Sequence, residues 1–138
     1  MDFSKAAILS IVLLAAWINL DAKPWETGRV IHDDIISYYC YLPATVIHRD
    51  LTFSFTRSNR AFYADKYELV KTPEGRKVVK MTMGLAFLYL PFFLAGHAAA
   101  LIGGAAPDGY SFPYLIALQM SAQVYLLAGL MILTGFRL

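Results

Sequence analysis

The sequence predicts an all-α membrane protein with three transmembrane helices and one long extramembrane loop, which carries an amphipathic surface helix and a short β-hairpin. The 138 residues are 58% hydrophobic and only 16% charged, whereas soluble domains carry roughly a quarter charged residues. The charges are also concentrated. Ten of the twelve Lys and Arg lie between Lys23 and Lys80, and eight of the ten Asp and Glu lie between Asp21 and Lys80. Nearly uncharged flanks around one charged segment are typical of a membrane protein with one exposed loop.

Composition also limits the classes of function. A net charge of +2 gives no electrostatic basis for a nucleic-acid partner. A single cysteine, Cys40, excludes an internal disulfide framework and a cysteine-based zinc site, so we expect a buried, unreactive thiol. The sequence has no Gly-rich phosphate loop, no metal-ligand spacing and no nucleophile elbow. We therefore expect no cofactor and no bound metal.

The first predicted transmembrane helix covers residues 1–20. Its apolar run, Ala6–Leu20, is short for a hydrocarbon core about 30 Å thick. Phe3 and Ser4 extend the run if the Lys5 side chain reaches up to the interface. A cleavable secretory signal peptide is the alternative, but no small-x-small cleavage site follows the run. We therefore predict a retained helix.

The second predicted transmembrane helix covers residues 81–104, a stretch without Asp, Glu, Lys or Arg that is long enough to span with some tilt. Pro91 should kink it, which membrane helices tolerate. Gly96, Ala100 and Gly104 recur at four-residue spacing, the small-xxx-small pattern that lets helices approach closely. A chance pattern in an Ala-rich helix is the alternative.

A turn at 105–113 and a third transmembrane helix at 114–138 complete the predicted membrane part. The turn contains two prolines, one glycine and one aspartate, which favour turns. Gln119, Ser121 and Gln123 are the polar residues of the third helix. We expect them to face protein and not lipid.

The loop at 21–80 contains a predicted surface helix at 34–48. One face of that helix is apolar and the other is polar, and such a helix fits a position on the membrane surface. Pro43 should bend it. The apolar face holds Ile35, Tyr39, Leu42 and Val46, and the polar face holds Asp34, Ser37, Tyr41, Thr45 and His48.

Two adjacent aspartates, Asp33 and Asp34, stand at the start of this helix. One of them is well placed to cap the helix by accepting hydrogen bonds from its first free N–H groups. Capping does not require two carboxylates. Adjacent carboxylates repel one another, which favours protonation of one of them and suits a general base. Capping and catalysis therefore both remain open on residue chemistry.

The end of the loop predicts a β-hairpin whose basic residues lie at the membrane surface. Residues 67–71 and 76–80 flank Thr72-Pro73-Glu74-Gly75, which suits a type I turn because proline is second and glycine fourth. Three basic residues, Arg76, Lys77 and Lys80, then precede the second apolar helix. They could bind lipid headgroups or a phosphorylated lipid, or serve only as interfacial anchors.

Several short motifs resemble the N-terminal region of GT-C glycosyltransferases, which are polytopic membrane enzymes that use polyprenyl- or dolichyl-phosphate-linked sugars. This family includes the dolichyl-phosphate-mannose and aminoarabinose transferase types. The order of elements is similar: a membrane helix, an external loop that opens with an acidic residue, a surface helix, and a basic residue before the next span. The likeness extends over nearly the whole chain and is to an uncharacterised bacterial branch. Its motifs are Asp34–Tyr39, Tyr41–Ala44, Lys80–Gly84, Leu90–Phe93 and Asp108–Ser111.

The resemblance implies roles for particular residues. Asp34 would be the catalytic loop carboxylate, acting as general base on the acceptor hydroxyl or orienting it, with Asp33 as the second catalytic candidate. Lys80 matches the basic residue that would meet the donor phosphate. Tyr38 and His48 complete the predicted site as substrate-binding residues. An inverting transfer without a metal is the mechanism implied by analogy.

The resemblance also implies a setting for the chain. The expected location is the bacterial inner (plasma) membrane, with the loop 21–80 periplasmic or extracellular, although ten basic residues in the loop would by themselves favour the cytoplasm. GT-C enzymes have many more spans, so this chain would be an N-terminal fragment that is inactive alone. The expected partners are membrane lipid, a polyprenyl-phosphate sugar, and the missing C-terminal helices or partner membrane helices. The alternative is a small non-enzymatic membrane subunit or a truncated remnant that binds partner helices.

Overall fold

Three long helices and a folded loop make up the part of the chain, residues 3–135, that the computed structural model describes. The predicted helices 1–20 and 114–138 extend beyond it, since residues 1–2 and 136–138 lie outside the described residues. The elements are α1 (Phe3–Ala22), α2 (Asp34–Tyr39), a π-helical turn (Pro43–Ile47), a 3₁₀ turn (Ser54–Arg57), α3 (Arg60–Tyr63), β1 (Leu69–Lys71), β2 (Lys77–Val79), α4 (Gly84–Gly103) and α5 (Phe112–Leu133).

The long helices α1, α4 and α5 are each long and apolar enough to cross a membrane, which confirms that part of the predicted fold class. Their ends follow local backbone chemistry. Helix α4 ends where Gly104 adopts a φ of +69°, a left-handed conformation that glycine accepts without a Cβ clash. Helix α5 begins at Phe112 with a proline in its first turn, where the missing N–H has no helical partner in any case.

Helices α4 and α5 form a closely packed antiparallel hairpin. A Cβ added at Gly96 would lie 3.0 Å from the Cα of Tyr114 and 3.1 Å from the carbonyl oxygen of Pro113. Ala100, one turn later, is fully buried. The small-xxx-small prediction is therefore confirmed at Gly96 and Ala100, whereas Gly104 is exposed and ends the helix instead.

The polar residues of α5 face protein, as predicted. The Gln119 side-chain N–H donates to the Asn19 side-chain oxygen of α1. Ser121 is buried, and its hydroxyl donates to the carbonyl of Leu118 at 2.6 Å. The side-chain oxygen of Gln123 is also buried. These contacts place α1 against α5, although most of the α1 surface is exposed.

The predicted β-hairpin is confirmed. Strands β1 and β2 pair antiparallel, with Lys71 opposite Lys77. The Gly75 N–H donates to the Thr72 carbonyl at 2.8 Å, and the Thr72 N–H donates to the Arg76 carbonyl at 2.9 Å. Gly75 has a φ of +79°, which matches a three-residue loop made of a type I turn followed by one left-handed residue.

The predicted surface helix at 34–48 is wrong as one continuous α-helix. Helix α2 ends at Tyr39, and the chain then widens into the π-helical turn at Pro43–Ile47, where the His48 N–H donates to the Pro43 carbonyl at 3.0 Å. The physical reason is Pro43, which has no N–H to donate and whose ring crowds the preceding turn.

The same segment also contributes buried residues to both of its sides, so its predicted polar face is only partly exposed. Ser37, which the pattern places on a polar face, is only 3% exposed. Tyr39 and Leu42 pack in the cluster that contains Phe93 of α4. On the other side, Cys40 and Ala44 belong to a second cluster, here called the loop core. Hydrophobic periodicity alone did not predict that second core.

The loop core is built from apolar and aromatic residues drawn from the whole loop. Its buried members are Cys40, Ala44, Phe53, Tyr67 and Val79. Burial raises the pKa of the Cys40 thiol to about 12, which agrees with the expected buried, unreactive cysteine.

A single carboxylate organises the turn that brings Phe53 into the loop core. The Asp50 carboxylate accepts hydrogen bonds from the side-chain hydroxyls of Ser54 and Thr52. It also accepts from the backbone N–H groups of Thr52 at 2.8 Å, Ser54 at 2.9 Å and Phe55 at 3.3 Å. The hydrogen bonds from Ser54 and then Thr52 hold the pKa of Asp50 well below its usual range, because they favour the charged form.

The loop is docked along α4, from the start of that helix to the link at 104–111 beyond its end. The Tyr41 hydroxyl donates to the carbonyl of Met81, before α4, at 2.7 Å. The Tyr39 hydroxyl donates to the carbonyl of Gly109, in the link. Gly109 has a φ of +87°, and a Cβ there would lie 2.9 Å from the Cβ of Pro43. Only glycine fits this docking contact without a shift.

We predict that Gly96→Leu lowers the free energy of unfolding by about 2 kcal/mol or more, because the added side chain forces α4 and α5 apart. The measurement is thermal unfolding in detergent. Gly103→Leu is the matched control, since Gly103 lies in the same helix with nothing within 4 Å of an added Cβ. Equal effects of the two substitutions would contradict the close approach at Gly96.

Candidate functional site

The residues before and at the start of α2 form a polar cleft, here called the acidic cleft. Its volume is about 670 Å³. Both predicted catalytic residues lie in it, so the structure brings Asp33 and Asp34 to one cavity. The cleft is lined by Thr27, Gly28, Arg29, His32, Asp33, Asp34 and Ile35.

Asp33 has an unusual backbone. Its φ is +49° and its ψ is −133°, a region that residues with a Cβ rarely adopt. Such strain persists only where the surroundings hold it, and it is often found at functional sites. The side chain is 87% exposed, and its Oδ1 lies 2.9 Å from Nδ1 of His32. The strained backbone and the neighbouring imidazole together fix where this carboxylate lies.

Asp34 is the first residue of α2 and is exposed. Within residues 3–135 its carboxylate takes part in no hydrogen bond or ion pair. Asp33 occupies the position before the helix, yet its side chain makes no capping hydrogen bond. The capping explanation for the aspartate pair is therefore wrong, because the Asp33 carboxylate lies next to His32.

Sequence reasoning missed Arg29 and His32 as members of the cleft. Both lie within five positions of Asp34, but nothing distinguishes them from the other charged or polar residues of the loop. Their presence means that the cleft holds one permanent cation beside two carboxylates. It can therefore accept a proton and face a negatively charged group at the same time.

A second cavity, here called the apolar groove, lies beside the acidic cleft between the loop and the α4–α5 hairpin. Its volume is about 270 Å³. Ile35 lines both cavities, and its neighbour in the wall of the groove, Val30, is buried. From the helices, the groove is lined by Leu85, Leu88, Tyr89, Leu118, Gln119, Ser121, Ala122 and Tyr125.

Lys80 and Tyr38 lie outside the acidic cleft. Lys80 is exposed between β2 and α4, and neither it nor Tyr38 lines the cleft or the groove. Tyr38 is half-buried on α2 and lies near Tyr89 of α4. The structure therefore does not bring these two predicted substrate-binding residues into one cavity with Asp34.

His48 lies in an aromatic environment and not in the acidic cleft. Its ring stacks on Phe55 with 3.9 Å between centroids and 9° between planes. Its Nε2 lies 3.2 Å from the Tyr63 hydroxyl. Burial lowers the pKa of His48, and the nearby Asp50 carboxylate opposes that shift. These contacts give His48 a packing role in the loop.

Comparison with known proteins adds no assignment. No protein-family model, no curated protein and no solved structure matches the chain.

We predict that His48 makes the protein less stable at about pH 5.5 than at about pH 7.5. Folding lowers the pKa of His48 below its usual 6.5. As the pH falls through 6.5, the unfolded chain therefore binds more protons than the folded protein, and the free energy of unfolding decreases. In His48→Phe, which keeps a ring to stack on Phe55, the fall in Tm between these two pH values should be smaller. An equal fall in both proteins would contradict this role.

Proposed function

We propose that the chain is an integral membrane protein. The apolar surface of its three long helices supports this proposal, because exposed apolar patches of that extent are rare in water-soluble monomers. The exposed large side chains include Leu9, Leu13, Leu14, Trp17 and Leu20 of α1, Phe87, Leu94, Leu101 and Ile102 of α4, and Met120, Val124, Leu127, Ile132 and Leu133 of α5.

The docked loop constrains how these helices lie in the membrane. Helix α4 has 20 residues and is about 30 Å long, so a simple crossing would carry the link 104–111 to the face opposite its start. The loop reaches Met81, before α4, through Tyr41, and it reaches Gly109, in the link after α4, through Tyr39. We therefore propose that the loop and the link lie on the same side of the membrane. This differs from the topology that the resemblance implies.

We propose that the chain acts as the N-terminal part of a glycosyltransferase that transfers a sugar from a polyprenyl-phosphate-linked donor to an acceptor hydroxyl. The single observation that carries this proposal is the adjacency of the two cavities at Ile35. A lipid-linked sugar has a long apolar chain joined to a polar, anionic head. The apolar groove suits the chain, and the acidic cleft suits the head and the acceptor.

Three residues of the acidic cleft then have a proposed role. Asp34 removes the proton from the acceptor hydroxyl as that oxygen attacks the anomeric carbon of the sugar. The bond between the anomeric carbon and the phosphate oxygen breaks, and its electron pair leaves on the phosphate. A cation stabilises that leaving group. The two candidates for this cation are Arg29, which lies in the cleft, and Lys80, which the resemblance implies. Asp33 orients the acceptor.

The proposed setting is the bacterial inner membrane, with the loop on its periplasmic or extracellular face. The remaining walls of a donor site would come from helices that this chain does not supply. Activity is therefore expected from the continuous reading frame that contains the chain, and not from these 138 residues alone.

A non-enzymatic subunit that binds partner helices is the second candidate. One observation favours it: α1 is exposed along most of its length, and it borders a cavity of about 310 Å³ shared with α5. The buried Gln123 side-chain oxygen in that cavity has no hydrogen-bond partner among residues 3–135. A partner helix would cover the exposed apolar surface of α1.

We predict that Asp34→Asn abolishes sugar transfer, with a loss of at least ~100-fold in rate, since the amide cannot accept the proton. The measurement is transfer from a polyprenyl-phosphate sugar by the expressed continuous frame. Asp65→Asn is the matched control, because Asp65 is another exposed aspartate of the loop and does not line the acidic cleft.

Full transfer activity in Asp34→Asn would overturn the catalytic role of Asp34. Absence of transfer by the unsubstituted frame, together with co-purification of a defined membrane partner through α1, would favour the subunit instead.

A further inference from the structure

The loop contains a third cavity whose charge neither the fold nor the proposed reaction explains. We propose that this cavity, here called the basic cavity, binds a phosphate-bearing anion. It has a volume of about 550 Å³ and shares no lining residue with the acidic cleft. Its polar lining consists mainly of Thr56, Arg57, Arg60, Tyr63, Lys71 and Lys77.

Four cations converge on the basic cavity from different elements. Arg57 ends the 3₁₀ turn, Arg60 begins α3, and the two lysines belong to β1 and β2. No Asp or Glu lines the cavity. Among the residues that the structure describes, none of the four forms an ion pair. A bound anion would offset the electrostatic repulsion among these four positive side chains.

The strand register adds an independent argument. Lys71 and Lys77 are directly opposite one another across the hairpin, and like charges in that position destabilise a strand pair. Neighbouring acids do not relieve this contact, because within residues 3–135 neither Glu68 nor Glu74 forms an ion pair with either lysine. A ligand anion between the two strands would turn the unfavourable pair into a binding feature.

One of the four cations is held in place. Lys77 is half-buried, and its Nζ donates to the Thr56 hydroxyl at 3.1 Å. Thr56 is buried, and its hydroxyl in turn donates to the Phe53 carbonyl at 2.7 Å. A neutral hydroxyl therefore fixes the ammonium and leaves its charge unneutralised. The remaining N–H groups of Lys77 are available to a ligand.

The cations indicate the class of ligand. Arginine presents a planar fork that matches two phosphate oxygens, and lysine contributes a point charge. Two arginines and two lysines around 550 Å³ suit a phosphate monoester or a diphosphate, not a single small ion such as chloride. The phosphate could belong to an anionic lipid headgroup or to a soluble phosphorylated molecule. Both sources present the same chemistry to the cavity.

The test measures binding of pyrophosphate to the full chain in a zwitterionic detergent by titration calorimetry. We expect Arg57→Gln/Arg60→Gln to weaken binding about tenfold or more. Lys23→Gln/Arg49→Gln is the matched control, since it removes the same charge from two exposed basic residues of the loop that do not line the basic cavity. Affinity in the control should stay within about twofold of the unsubstituted chain.

A second arm identifies the source of the phosphate. Native mass spectrometry of the same three proteins, with equal amounts of short-chain phosphatidic acid and phosphatidylcholine, reports which lipid each retains. The cavity binds a lipid headgroup if the unsubstituted chain and the control retain phosphatidic acid selectively and Arg57→Gln/Arg60→Gln does not. Pyrophosphate binding without such retention assigns it to a soluble ligand. Equal losses in both double variants, or no binding in either arm, would overturn the proposal.

Discussion

The contact between the loop and the α4–α5 hairpin determines the position of nearly every other feature. The Tyr39 hydroxyl reaches the Gly109 carbonyl, and the Tyr39 ring is almost completely buried between Phe93 and Tyr110. Such an aromatic contact combines a large buried area with one directed hydrogen bond. It requires glycine at position 109 and an interrupted helix at Pro43. Together with the hydrogen bond from Tyr41 to Met81, it sets the position of the loop against the long helices and so places the acidic cleft beside the apolar groove.

The loop separates two kinds of chemistry. On the side of α2, two carboxylates and Arg29 face a cleft that continues at Ile35 into an apolar groove. On the side of the hairpin, four cations surround the basic cavity, and within residues 3–135 none of them forms an ion pair. The aromatic loop core supplies Tyr67 to the wall of the basic cavity, and the turn at Asp50 brings Phe53 into that core. A small folded loop can therefore present an acidic and a basic surface without the two neutralising one another.

The sequence predicted the features that depend on local pattern. The three long apolar helices, the turn at Thr72–Gly75 and the burial of Cys40 follow from hydropathy, turn residues and composition. The features that depend on distant contacts were not predicted. Ser37 is buried because a second core forms behind α2, and His48 is withdrawn into a ring stack with Phe55. Two of the predicted site residues, Asp33 and Asp34, share a cleft because they are adjacent in the chain. The position of Lys80 relative to them depends on how the loop packs on the long helices, which the sequence did not predict.

The most direct test of the docked arrangement in a membrane is the side from which the loop and the link can be reached. Single cysteines at Asp65 and Ala106, both exposed positions, would be probed in sealed vesicles with a membrane-impermeant maleimide. Cys40 can remain, because it is buried and its thiol has a pKa raised to about 12. The docked loop predicts that both introduced cysteines react from the same side. Reaction from opposite sides would contradict it and would make α4 a simple membrane crossing between the loop and the link.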